Sequence, residues 1–198
     1  MDPREFINRH AERSVSVISR ALNELSDGIA DGAMRMIDCL ERGGRVLVCG
    51  NGGSASDALH FSAELLNRYK DDRQPLAAIA LNADVSTLTA IANDYHYDDV
   101  FAKQVAALGR TGDILLAITT SGNSGNVVKA IGEAHGRGVT TVLLTGRDGG
   151  ACARDCSDKD VVLCVDDDAT AHIQEAHGVI IHCLCALIER HFIDNAAA

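Results

Sequence analysis

The chain has 198 residues, 46% of them hydrophobic, and a formal net charge of −10 at pH 7. That length suits one domain with a well-buried core, or a domain with an appended helical pair. The acidic balance argues against a general nucleic-acid binder, whose affinity comes from a basic, phosphate-neutralising surface, but leaves room for a small phosphate held by local donors.

Residues 3–42 carry apolar side chains at helical spacing (Phe6, Ile7, Val15, Ile18, Leu22, Leu25, Ile29, Ala33, Met36, Ile37, Leu40), with Asp27-Gly28 as the expected break. This predicts a helical hairpin over 1–42, with an apolar face suited to another subunit. Short aliphatic runs at 45–49, 77–81, 113–118, 139–144 and 161–165 read as buried strands. Helical segments at 54–69, 86–108 (broken near Asp94), 124–137 and 149–155 separate them, and a long helix over 169–193 ends the pattern. Strands alternating with helices predict right-handed crossovers and a doubly wound, five-stranded parallel sheet in an α/β core over 43–198. With two prolines and no low-complexity linker, residues 1–198 read as a single domain. No run reads as a membrane span and the start does not read as a signal peptide. Seven cysteines without a Cys-x-x-Cys fit a reducing cytoplasm better than a disulfide framework.

Two strand-to-helix turns are built alike. The first is Gly50-Asn-Gly-Gly-Ser54, and the second is Thr119-Thr-Ser-Gly-Asn-Ser124. Glycines let each backbone turn sharply, and the helix N-terminus that follows favours an anion. The hydroxyls of Ser54, Thr119, Thr120, Ser121 and Ser124 add donors, so the pair describes a pocket for a phosphorylated small molecule. The first loop also satisfies the dinucleotide pattern G-x-G-x-x-[GA], for which Asp84 is the only ribose candidate and lies past its strand; no Walker lysine follows either loop. Gly-rich turns are common in parallel sheets, and the hydroxyl-dense second loop is what favours the phosphate reading.

His60 and Glu64 stand at i and i+4 on one helix face, and alone they amount to an exposed His–Glu pair. Gln174 and His182 lie a little over two turns apart on the last helix, roughly on one face. A core histidine bonded to a carbonyl is the plainer account of His182. If the four converge, two imidazoles and a carboxylate suit zinc, with the amide oxygen of Gln174 a less usual fourth ligand. Asn93-Asp94, at the helix break, offers further groups for hydroxyls or simple loop capping.

Together with His60-Phe-Ser-Ala-Glu64, Ala92-Asn-Asp94, Leu144-Thr-Gly-Arg-Asp-Gly-Gly150 and Ile173-Gln-Glu-Ala-His177, these loops resemble the sugar-isomerase (SIS) family over nearly the whole chain. Within it the similarity is to the branch that converts sedoheptulose 7-phosphate to D-glycero-D-manno-heptose 7-phosphate, the first step of heptose synthesis for the lipopolysaccharide core. The resemblance implies a flavodoxin-like SIS fold and a cytoplasmic homotetramer with active sites between subunits. It implies one zinc per subunit on His60, Glu64, Gln174 and His182. It also implies a phosphate end at Ser54, Thr119, Thr120, Ser121 and Ser124, with Asn51, Gly52, Gly53, Asn93, Asp94 and Gln174 along the sugar. Glu64 is then the candidate base and His182 the candidate general acid. Two departures stand out: His172 replaces the family's usual Arg, which bears on a supporting ion pair, and Thr119 replaces a frequent Ser with its hydroxyl kept. A sister branch uses the same tetramer as a platform for a replication initiator, and it departs at positions where this chain keeps Gly53, Glu64 and Ser121. A sugar-phosphate sensor would need the loops but not His60, Glu64 and His182 together.

Overall fold

A computed structural model describes residues 1–196. The helices are α1 (Pro3–Glu24), α2 (Ser26–Glu41), α3 (Gly53–Leu66), α4 (Val85–Asp94), α5 (Ala102–Leu108), α6 (Gly125–Gly136), α7 (Gly150–Asp155) and α8 (Thr170–Ala196). The strands are β1 (Val46–Gly50), β2 (Ala78–Ala80), β3 (Ile114–Thr119), β4 (Thr140–Gly146) and β5 (Val161–Val165). They form one parallel sheet in the order β2-β1-β3-β4-β5, as the alternating pattern predicts.

The period of two along each strand sorts its side chains onto two faces. Ile114, Leu116 and Ile118 of β3 join Val46 and Val48 against α1, α2, α3 and α8, where Met36, Phe61 and Ile180 are fully buried. Leu115 and Ala117 join Leu47 and Cys49 against α5, α6 and α7, around Phe101 and Ile131. Each such large side chain contributes roughly 1.5–3 kcal/mol on burial, so the strands are pinned from both sides. That is why they read as unbroken apolar runs.

The N-terminal helices depart from expectation in one respect. The break falls at Leu25, not at Asp27-Gly28, and it is a single residue: Leu25 N–H bonds Ala21 O, and Ile29 N–H bonds Leu25 O. Gly28 lies in the first turn of α2, where a Cβ would come within 2.9 Å of the Leu163 side chain. The glycine permits close packing of α2 on β5 and does not end a helix. α1 leaves Phe6, Ile7 and Val15 exposed at 53%, 62% and 67%.

α8 corrects a second expectation. It is long and apolar enough to cross a membrane, the one such helix among the described residues, yet half of its most apolar window is buried within the protein. It is packed along α1, α2 and α3 and carries polar anchors inward. His177 is fully buried and donates through Nε2 to Thr145 O at 2.9 Å. Burial pushes its pKa down to about 4, against the opposing pull of that hydrogen bond, so the ring is neutral. All seven cysteines are free thiols, and burial raises the Cys185 thiol to about 12.

Candidate active site

In a doubly wound sheet the ligand crevice lies at the carboxyl ends of the strands, where the chain reverses its direction of travel across the sheet. Here that point falls between β1 and β3. Gly50 pairs in register with Ile118, so the two hydroxyl-bearing loops leave the sheet side by side. Asn51 and Asn126 lock them together through reciprocal amide bonds of 2.8 and 2.9 Å, and the Tyr97 hydroxyl donates to Asn51 Oδ1 at 3.1 Å. Asn51, expected along the sugar, therefore already ties the loops. Asn126 and Tyr97 were not among the candidates.

Ser54 is buried in the first turn of α3. Thr119 ends β3, and its hydroxyl lies 3.1 Å from that of Ser124. Ser124 is the N-cap of α6 but makes no side-chain cap hydrogen bond. Its hydroxyl faces Thr119 and leaves amides at the helix start for another acceptor. Ser121 accepts from Asn123 N–H at 3.2 Å, and Thr120 is half-buried beside it. A Cβ at Gly122, whose φ is +67°, would stand 2.1 Å from Gly149 O. The loop after β4 thus presses on this turn, and only glycine fits.

Farther along α3, His60 Nε2 lies 3.2 Å from Glu64 Oε1. The His182 ring meets the His60 ring edge-on at 5.1 Å, and Tyr69 approaches His182 at 5.7 Å. His60 thus stands between Glu64 of its own helix and His182 of α8, but among the described residues these three do not bring their donor atoms within 4.8 Å of one another. Gln174 reaches the start of α3: it donates to Asp57 Oδ2 at 3.4 Å, and a Cβ on Gly53 would fall 2.2 Å from its Nε2. Gly53 therefore makes the seat for the Gln174 amide. Asp57 is a further member that the sequence reading missed, although it precedes His60 by three residues and so shares its helix face. Burial raises its carboxyl pKa above the usual range, against the Gln174 hydrogen bond and the His60 imidazole. Asn93 and Asp94 are exposed at the end of α4, Asn93 donating to Asp94 at 2.8 Å. From that segment it is Tyr97 that reaches the first loop.

The donor set of His60, Glu64, His182 and Gln174 is chemically suited to zinc, being two imidazoles, a carboxylate and an amide on two facing helices. A second constellation was not anticipated. His10, His172 and Glu175 bring their donor atoms within 4.8 Å of one another. His172 bonds the helix carboxylate, with Nδ1 3.1 Å from Glu175 Oε2.

This architecture, with paired hydroxyl loops at the switch point, is that of a SIS domain. The family profile described as "SIS domain" matches residues 9–146. A phosphoheptose isomerase from Shewanella sp. (strain ANA-3) is 59% identical over 186 residues, 94% of each chain. One from Alkalilimnicola ehrlichii is 51% identical over 196 residues, covering 99% of this chain and all of that one. The solved structure of a phosphoheptose isomerase from Francisella tularensis superimposes with a TM-score of 0.91 at 46% identity, covering 96% of this chain and 100% of the other. The chain belongs to the phosphoheptose isomerase family.

Proposed function

We propose that the protein is an aldose–ketose isomerase that converts sedoheptulose 7-phosphate to D-glycero-D-manno-heptose 7-phosphate, the entry step to bacterial heptose synthesis. The observation that carries this reading is the meeting of the His60–Glu64 pair with the His182 ring, on the helix whose start carries the first hydroxyl-lined loop. A phosphate at Ser54, Thr119, Thr120, Ser121 and Ser124 contributes remote binding energy that holds the reacting end in register. Gly52, Gly53, Asn93 and Asp94 border the sugar.

His60, Glu64, Gln174 and His182 would hold one zinc ion per subunit, which supplies a Lewis acid for the sugar carbonyl. The Glu64 carboxylate removes the weakly acidic proton from the carbon beside the carbonyl, giving an enediol, and returns it to the neighbouring carbon. His182 moves a proton between the two sugar oxygens as general acid, and for it and Glu64 to carry protons their hold on a bound ion would have to loosen when the sugar arrives. A single domain with exposed Phe6, Ile7 and Val15 on α1, a face that a partner subunit would cover, supports a homotetramer. The free thiols fit a cytoplasmic setting.

The deciding experiment incubates the purified, zinc-supplemented protein with sedoheptulose 7-phosphate and follows the aldoheptose phosphate by NMR. Conversion to the aldose is expected. A well-folded, zinc-loaded tetramer that leaves the ketose unchanged would overturn the assignment.

Gly53→Ala tests the Gln174 seat. The added methyl collides with the far end of a flexible side chain, so the amide swings aside at little cost to the fold. Displacing such a group by about 1 Å can cost on the order of 10²-fold in rate. Turnover should therefore drop by about that factor while the thermal midpoint stays put. Wild-type turnover in the variant would show that the amide has no part in the reaction.

A further inference from the structure

The start of α8 and the facing side of α1 hold three donors that the isomerase reading does not use: His172 and Glu175 from α8 and His10 from α1. Glu175 lies between two imidazoles, its Oε1 3.1 Å from His10 Nε2 and its Oε2 3.1 Å from His172 Nδ1. The two rings face each other at 4.7 Å with a 39° tilt. Donors at about 2.0–2.1 Å around a tetrahedral ion sit about 3.3 Å apart; the two imidazole–carboxylate separations match that, and all three donors lie within 4.8 Å of one another, so side-chain rotation alone would close the set. Its framework is fixed independently. His172 and Glu175 are one turn apart on α8, with the His172 side chain only 7% exposed. One turn beyond His10, Arg13 pairs with the buried Asp167 at 3.0 Å and holds α1 against the β5–α8 connection. The His10 and Glu175 side chains are 43% and 36% exposed within the subunit, which leaves a position for a fourth ligand.

We infer that His10, His172 and Glu175 form a second metal site, for zinc or another divalent transition metal that takes imidazole and carboxylate, which clamps the N-terminal helix onto the first turn of α8. Two imidazoles with one carboxylate and an open fourth position make a donor set suited to zinc, cobalt(II) or nickel(II) and poorly suited to magnesium or calcium. The clamp has a reason to lie where it does. Gln174 sits between His172 and Glu175 in sequence, so tethering this turn also steadies the backbone that presents the amide to Gly53. The proposal stands on its own donors and holds whether or not His60, Glu64 and His182 perform an isomerisation.

The test uses the full chain, stripped with a chelator, in a His60→Gln background that disables the other donor set. Calorimetric titration with zinc chloride should return one equivalent per chain, and zinc should raise the thermal midpoint. Adding His10→Gln, an exposed position on an outer helix, should weaken that binding by at least about 100-fold, since even supporting residues around a metal cost 10–100-fold, and should abolish the midpoint shift. Cobalt(II) should give a visible ligand-field spectrum in the first protein and lose it in the second. Zinc binding that is absent from His60→Gln, or unaltered by His10→Gln, overturns the site. Failure of the isomerase reading would appear separately, as lack of turnover by the zinc-loaded chain that keeps His60, with the zinc equivalent lost on His10→Gln still bound.

Discussion

Glu64→Gln is expected to lower turnover of the heptose phosphate by about 10²–10⁴-fold, the usual contribution of a positioned general base. The substitution keeps the size and much of the polarity of the side chain but removes the group that accepts the carbon-bound proton. Glu64 is half-buried on α3, 3.2 Å from His60 and one turn from it, so an isosteric amide can occupy the same place. Light scattering should give the same oligomer and circular dichroism the same helix content as the parent. His182→Gln should behave similarly, because His182 faces the same His60 ring from α8. A scaffold that merely binds a partner would have no turnover to lose. If Glu64→Gln kept the wild-type rate, the carboxylate would be no more than half of an exposed His–Glu pair, and the proton would have to move by another group.

What the sequence discloses of this site follows from how far apart its parts are in the chain. His60 with Glu64, and Gln174 with His182, are each spaced within one helix, so periodicity alone places them on common faces. The inner strands β1 and β3 are equally plain, since both of their faces are covered and their apolar runs are uninterrupted, whereas the edge strand β5 leaves Val162 exposed. The joining contacts are long-range and leave no local pattern. Asn126 meets Asn51 across 75 residues and Tyr97 meets it across 46; an asparagine near a helix start looks like capping chemistry wherever it occurs. Gly28 misleads for a related reason. A glycine can signal a turn or a close approach of two elements, and only the position of Leu163 decides between them. The cluster of His10, His172 and Glu175 joins α1 to α8 across 165 residues, beyond the reach of spacing arguments.

The largest effect on stability is expected from Glu189→Ala. Glu189 projects from α8 with its side chain 5% exposed, against Arg73, whose side chain is 3% exposed. Its two oxygens accept from the backbone N–H groups of Tyr69, Lys70 and Asp71 at 2.8–2.9 Å, and the guanidinium lies 3.7 Å away. Burial alone would raise the Glu189 pKa; the three amides and then Arg73 outweigh it and hold the carboxyl below its usual range. Arg73 in turn donates to the carbonyls of Glu64, Leu65 and Gln74, closing the C-terminal end of α3. Truncating the carboxylate would strand three amides and leave a buried cation uncompensated, a loss of about 3–5 kcal/mol. Against a typical domain stability of roughly 5–15 kcal/mol, that is a large share. Urea unfolding followed by circular dichroism should show the loss as a lower midpoint, with the loop at 67–76 becoming the first site of limited proteolysis. Because Tyr69 is held by this anchor and packs beside His182, the folded fraction should also lose turnover. A midpoint within about 0.5 kcal/mol of the parent, the range of ordinary surface changes, would mean that water can replace the carboxylate and that the anchor does not hold the loop.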